Sequence, residues 1–199
     1  MTDTVLAATA WPTNAHLIEA CHQLGYIGDD DLVLDPTYGR GVWWQRWRPE
    51  KLVTSDVRPG LGDEVGDFRY LYWNDEHFDV VAFDPPYKLN GTPTRSVDER
   101  YGVHEPTRWQ DRHRLIEEGI TECARVLKPG GRLLLKCQNQ VCSGKVRWQT
   151  YEFTRHALGL GLYLVDELLM LAYRPQPAGR AQVHARRNYS SLLVFRAPT

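Results

Sequence analysis

The chain is poor in the features that mark several classes of protein. No run approaches the roughly 20 apolar residues of a membrane span, so no membrane partner is expected. The N-terminal stretch MTDTVLAATAWPTN has neither the basic start nor the long apolar run of a secretory leader. Cysteine occurs four times, at 21, 123, 137 and 142, and never in a paired CxxC spacing. Free thiols in a reducing cytoplasm, and no metal, are the expectation. Internal repeats and low-complexity tracts are absent. A length of 199 residues, 42% of them apolar, supports one domain spanning 1–199 with a full core.

Net charge is also nearly absent, at −1, but it is unevenly distributed. Residues 1–122 carry 12 basic and 22 acidic side chains, and residues 123–199 carry 12 basic and three acidic. A chain polarised in this way can present a basic face while staying neutral overall, and such a face suits DNA or RNA. The same charges can equally pair within the fold.

Residues 14–25 have apolar positions at helical spacing, closed by Gly25, and residues 111–127 read as a longer amphipathic helix. The latter stops at Lys128-Pro129-Gly130-Gly131, expected as a turn. Short apolar runs at 31–35, 51–56, 78–84 and 132–137 read as strands, and 148–159 as another helix. Runs at 162–171 and 190–196 have no helix between them, which predicts an antiparallel edge hairpin. Alternating strands and helices otherwise predict an α/β fold around a mostly parallel sheet. Two long polar stretches, 88–110 and 173–189, fit no element, and long loops in a small domain are usually functional or disordered.

The first strand runs into Asp35-Pro36-Thr37-Tyr38-Gly39-Arg40-Gly41. A strand leading into a glycine turn is a cofactor cradle in open α/β sheets, where Gly39 and Gly41 would let backbone approach a ligand. Trp44 stands where a dinucleotide fingerprint wants glycine, and no Gly-Lys-Ser/Thr follows as in a phosphate-binding P-loop. Asp56 ends the second strand, where an acid can accept both hydroxyls of a ribose. Asp67-Phe68 follows, a polar group and a ring able to bracket an adenine.

Asp84-Pro85-Pro86-Tyr87 closes the apolar strand FDVVAFD and carries the strongest signal. Its prolines fix the backbone and remove two N–H donors, leaving acceptors. An aryl amine is a poor nucleophile because its lone pair is delocalised into the ring. Two acceptors, the Asp84 carboxylate and the Pro85 carbonyl, can bind its hydrogens and aim the lone pair at an electrophile. Tyr87 can stack on the base, which in duplex DNA must first be flipped out.

On DPPY at 84–87, DPTYGRG at 35–41, Asp56, Asp67-Phe68 and LKPGGRLLLK at 127–136, the chain resembles the DNA amino-methyltransferases that act on N6 of adenine or N4 of cytosine. The order of the motifs, cofactor loop before DPPY, is similar to the gamma arrangement. The resemblance implies a Rossmann-like class I methyltransferase fold and S-adenosylmethionine as cofactor. It implies Thr13, Asp35, Pro36, Gly39, Gly41, Asp56, Asp67 and Phe68 as cofactor contacts, Thr13 with Asn14 near the methionine part. Asp84, Pro85, Pro86 and Tyr87 are the implied catalytic segment, with N6 of adenine in DNA the first-choice target.

The chain departs from that pattern in three places. Tyr38 and Arg40 replace small residues, bulky Trp43-Trp44 follow, and no target-recognition domain of the usual size is present. Substrate contacts are therefore expected from the two long loops, with Arg174, Arg180, His184, Arg186 and Arg187 gripping phosphates. An RNA base methyltransferase, acting on guanine N2 or adenine N6, shares the tetrapeptide and stays open, as does an inactive nucleic-acid-binding subunit. A glutamine N5 methyltransferase would prefer Asn at position 84. A cytoplasmic monomer or homodimer is expected.

Overall fold

The computed structural model describes residues 6–9, 11–89, 108–172 and 182–199. Its strands are β1 (Leu32–Asp35), β2 (Lys51–Asp56), β3 (Glu64–Val65), β4 (Phe78–Phe83), β5 (Leu127–Cys137), β6 (Gln140–Cys142), β7 (Lys145–Arg147), β8 (Tyr163–Leu171) and β9 (Tyr189–Arg196). Three helices are described, α1 (Asn14–Gln23), α2 (Trp109–Val126) and α3 (Gln149–Gly159), with a 3-10 turn over Val42–Trp44. Seven strands form one sheet in the order β3-β2-β1-β4-β5-β9-β8. The first five are parallel, whereas β9 and β8 are antiparallel additions at the edge. This is the class I methyltransferase fold.

Two-residue alternation along the central strands feeds a core on each face. Val81 and Phe83 of β4 pack with Leu34, Leu133, Leu135, α2 and α3. Val80 and Ala82 turn the other way, toward Val33, Leu134, α1 and the Trp43-Trp44 turn. Thr13 caps α1, its Oγ1 accepting from the His16 N–H, and Gly25 follows the helix in the left-handed region. Ile116, Ile120, Cys123 and Val126 form the buried edge of α2. Burial of each such aliphatic side chain contributes about 1.5–3 kcal/mol. Gly119 sits within that edge because a Cβ there would lie 2.6 Å from the rings of Phe68 and Phe83. Gly119→Ala would push Phe68 out of its place.

Two details differ from the sequence reading. Lys128–Gly131 is not a free turn. It lies inside β5 as an irregularity, with register slipping between the Phe78–Leu127 and Val80–Arg132 pairs. A separate hairpin, β6–β7, turns at Ser143-Gly144, where both residues have positive φ (51° and 72°). Such a turn matches the twist of the flanking strands. Of the two long loops, residues 90–107 and 173–181 lie outside the described residues. No helix among the described residues is long and apolar enough to cross a membrane.

Candidate active site

In the chain β2 follows β1, whereas β4 lies on the opposite side of β1 in the sheet. The winding direction therefore reverses between β1 and β4, which opens a crevice at the carboxyl ends of the strands. A cavity of about 250 Å³ occupies that place. Asp35, Asp56 and Asp84, the last residues of β1 and β2 and the first beyond β4, line it together with Pro36, Thr37, Tyr38, Gly39, Trp43, Arg58, Phe68 and Pro86.

The carboxylates of this crevice have different partners. Asp35 Oδ2 accepts from Trp44 Nε1 at 2.8 Å, and Oδ1 accepts from the Thr37 N–H at 3.0 Å. Burial nevertheless pushes its carboxyl up to about 7. Asp56 Oδ2 accepts from the Gly39 N–H at 2.9 Å, which pins the loop to the end of β2. Arg58 also holds Asp56, its Nε 3.1 Å from Oδ1. Asp84 Oδ2 accepts from Trp43 Nε1 at 3.0 Å, and the Asp84 N–H donates to Thr37 Oγ1 at 2.9 Å. Among the described residues, Asp84 Oδ1 is buried with no hydrogen-bond partner. Burial pushes the Asp84 carboxyl up to about 6, against the charge of Lys136 and the Trp43 hydrogen bond. Lys136 is fully buried, its Nζ donating to Asn14 Oδ1 at 2.8 Å, and burial pulls its ammonium down to about 8.

Side chains from later in the chain hold the backbone of 84–87. The Pro86 carbonyl accepts from buried Arg112 at 3.0 Å. The Tyr87 carbonyl accepts from Gln140 Nε2 at 2.7 Å and Gln149 Nε2 at 2.8 Å. The Tyr87 N–H donates to the Pro85 carbonyl at 2.7 Å, so that carbonyl already carries one hydrogen bond. Gln149 is fully buried and its Oε1 accepts from the Gln138 N–H, which ties the tetrapeptide to the end of β5. Buried amides with both ends satisfied rigidify a segment, because breaking one bond strands a desolvated partner.

A second cavity, of about 200 Å³, opens beyond the end of β5 and is lined by Gln138–Val141 and His184–Asn188. Among the described residues no carboxylate lines it. The Gln138 amide donates to the Tyr189 carbonyl, Asn139 bonds Thr150, and Gln140 holds Tyr87. The Gln138, Asn139 and Gln140 amides are thus committed to the fold, and Arg186, Arg187 and the His184 ring give the cavity its character. Arg187 is stacked on Trp148 at 4.6 Å, and a His184 ring nitrogen lies 3.0 Å from the Gly144 carbonyl.

The crevice gathers Asp35, Pro36, Gly39, Asp56, Phe68, Asp84 and Pro86, and leaves others outside its lining. Thr13 caps α1 and is exposed. Gly41 does not face the cavity. A Cβ there would lie 2.6 Å from the Tyr38 hydroxyl, and φ is +65°, so glycine answers to the Tyr38 ring. Asp67 is turned onto Arg69, whose Nη2 lies 2.6 Å from Oδ2. Burial raises the Asp67 carboxyl, but the Arg69 hydrogen bonds outweigh it and leave it below the ordinary value. Pro85 and Tyr87 are not among the lining residues, and Tyr87 packs against the core. Arg174 and Arg180 lie outside the described residues. Sequence reasoning missed the polar roles of Trp43, Trp44, Thr37 and Lys136. Two adjacent tryptophans straight after a glycine turn were the available signal, since a buried indole N–H usually needs an acceptor.

No family model and no curated protein matches the chain. Similar solved structures include a candidate methyltransferase from Bacillus halodurans C-125, at 16% identity and a TM-score of 0.58, covering 92% of this chain and 99% of that one. The cyclase SpnF aligns at 14% identity and a TM-score of 0.57, over 92% of this chain and 80% of its own. A candidate DNA modification methylase from Thermus thermophilus aligns at 20% identity and a TM-score of 0.46. That alignment covers 67% of this chain, which spans about half (51%) of the methylase's length. A fold that also houses a cyclase leaves the chemistry to the residues of the site.

Proposed function

We propose that the protein is an S-adenosylmethionine-dependent methyltransferase acting on an exocyclic amino group of a nucleic-acid base, with N6 of adenine in DNA as the preferred target. The observation that carries this reading is the buried Asp84 Oδ1, without a partner among the described residues, on a side chain that lines the crevice. A buried carboxylate oxygen without a partner calls for an explanation, and an incoming donor supplies one.

The crevice suits the cofactor in three respects. Phe68, held edge-on against Phe83 at 5.0 Å, offers a ring for an adenine, and Asp56 lies at the end of β2, where a ribose diol is met. The turn at 36–39 offers backbone to a polar tail. Ribose hydroxyls at Asp56 would compete with the Arg58 guanidinium, which shares the cavity wall. The cofactor supplies an electrophilic methyl group.

The chain's own residues do the rest. Asp84 Oδ1 accepts one hydrogen of the amine and favours the nitrogen as it gains positive charge. The Pro85 carbonyl, with a lone pair beyond its bond to Tyr87, accepts the other. Arg112, Gln140 and Gln149 keep these acceptors from shifting. His184, Arg186 and Arg187 are proposed to meet phosphates. Incubation with labelled cofactor and oligonucleotides of DNA and RNA is the test. Label at adenine N6 of DNA supports the reading, label confined to RNA moves the substrate, and no label on any nucleic acid refutes it.

A further inference from the structure

We propose that Trp43 is a positioning residue for Asp84: its indole ties down Oδ2, so that Oδ1 alone is left to receive the donor. The proposal deepens the function proposed above, on which its catalytic consequence rests. A carboxylate with both oxygens available can rotate and offer either, whereas one fixed through Oδ2 presents a single acceptor in a set direction. Trp43 is only 4% exposed, lines the crevice and lies on the 3-10 turn packed against α1. Its ring therefore has little room to follow a moving carboxylate. The Thr37 hydroxyl receives the Asp84 N–H, so the backbone end of the same residue is fixed from the cofactor loop. The loop that walls the cofactor crevice thus also aims the catalytic acid.

The neighbour makes the arrangement specific. Trp44 gives its indole N–H to Asp35, so consecutive tryptophans serve the two acids on either side of the β1–β4 switch point. The charged groups acting on Asp84 are Lys136 from β5, which favours its ionised form, and Asp35 from β1, which couples to it as a like charge. Replacing the Trp43 indole removes a donor from the ionised form. Asp84 then takes a proton at higher pH, and the acid limb of the rate profile moves up.

Heteronuclear NMR of the indole N–H groups in the full chain tests the pairing without an assay of activity. The Trp43 resonance, identified by its loss in Trp43→Phe, is expected to shift with a midpoint near the Asp84 value of about 6. Asp84→Asn is expected to abolish that shift. In single-turnover methylation Trp43→Phe is expected to slow transfer about tenfold, the cost of one hydrogen bond to a charged group, and to move the acid limb to higher pH. Trp47→Phe, which removes an indole stacked on His22 elsewhere on α1, should change neither. A Trp43 resonance that stays flat, or still titrates in Asp84→Asn, overturns the pairing. An unaltered rate and acid limb in Trp43→Phe overturns the positioning role. A titrating resonance in a protein that methylates no nucleic acid upholds the pairing and refutes the functional reading.

Discussion

Asp84→Asn, usually the mildest change of an acid, should be severe here and should be partly rescued by a second substitution. Trp43 Nε1 lies 3.0 Å from Asp84 Oδ2 and permits only one orientation of an introduced amide. The amide oxygen must face the indole N–H, which leaves its NH₂ group in the Oδ1 position that now has no partner among the described residues. That group is a donor where the proposed substrate amine also brings donors. The flipped amide would restore the acceptor, but it would set an NH₂ against the indole N–H in a buried site. Leaving a buried donor unpaired costs about 2–3 kcal/mol, so the competent orientation falls to about one molecule in 30 to 150. Asp84→Asn should therefore retain at most a few per cent of wild-type single-turnover rate. In Trp43→Phe/Asp84→Asn the constraint is gone and the amide rotates freely, so that even after the loss from removing the indole the rate should rise several-fold above that of Asp84→Asn alone. Rapid-quench methylation of an adenine-containing oligonucleotide at saturating cofactor measures all three variants. A double variant no faster than Asp84→Asn would refute the reasoning that Trp43 fixes the orientation of residue 84.

Stability should carry the signature of Asp35, whose folded-state carboxyl sits at about 7 against an ordinary value of 3.8. A raised carboxyl stabilises the protonated fold, so this contribution is full below about 4 and is lost as pH rises through 7. Asp35→Asn should accordingly flatten the fall in Tm between these limits, measured by calorimetry, and an unchanged slope would count against a protonated Asp35. Asp56→Ala removes the acceptor of the Gly39 N–H as well as the proposed ribose contact, and should weaken cofactor binding by about 1.5–3 kcal/mol in titration calorimetry. Arg186→Ala/Arg187→Ala should flatten the salt dependence of oligonucleotide affinity by about two counterions, and an equal slope would assign the second cavity another ligand.

The order of strands and helices, the antiparallel edge and the three strand-end acids were legible in the chain because they rest on local chemistry. Apolar runs bounded by turn residues mark buried parallel strands, and a strand that ends in Asp before a glycine turn can be read without knowing its neighbours. Periodicity cannot say which acid keeps a free oxygen. Asp35, Asp56 and Asp84 look alike in sequence, yet only Asp84 has an oxygen without a partner among the described residues, because Trp44, Gly39 and Arg58 reach the others. The Trp44–Asp35, Gly39–Asp56 and Arg58–Asp56 contacts span 9, 17 and 2 positions in the chain and Trp43–Asp84 spans 41, and the two longest exist only once β1, β2 and β4 lie side by side. Local side-chain placement matters as well: Gly41 reads as a cofactor glycine until the Tyr38 ring is placed beside it, and Asp67 turns onto Arg69 two positions on. Sequence alone determined which residue types stand at the ends of the strands. Tertiary structure decided which of their atoms remain open to a ligand, since hydrogen-bond capacity depends on neighbours that the chain brings together only by folding.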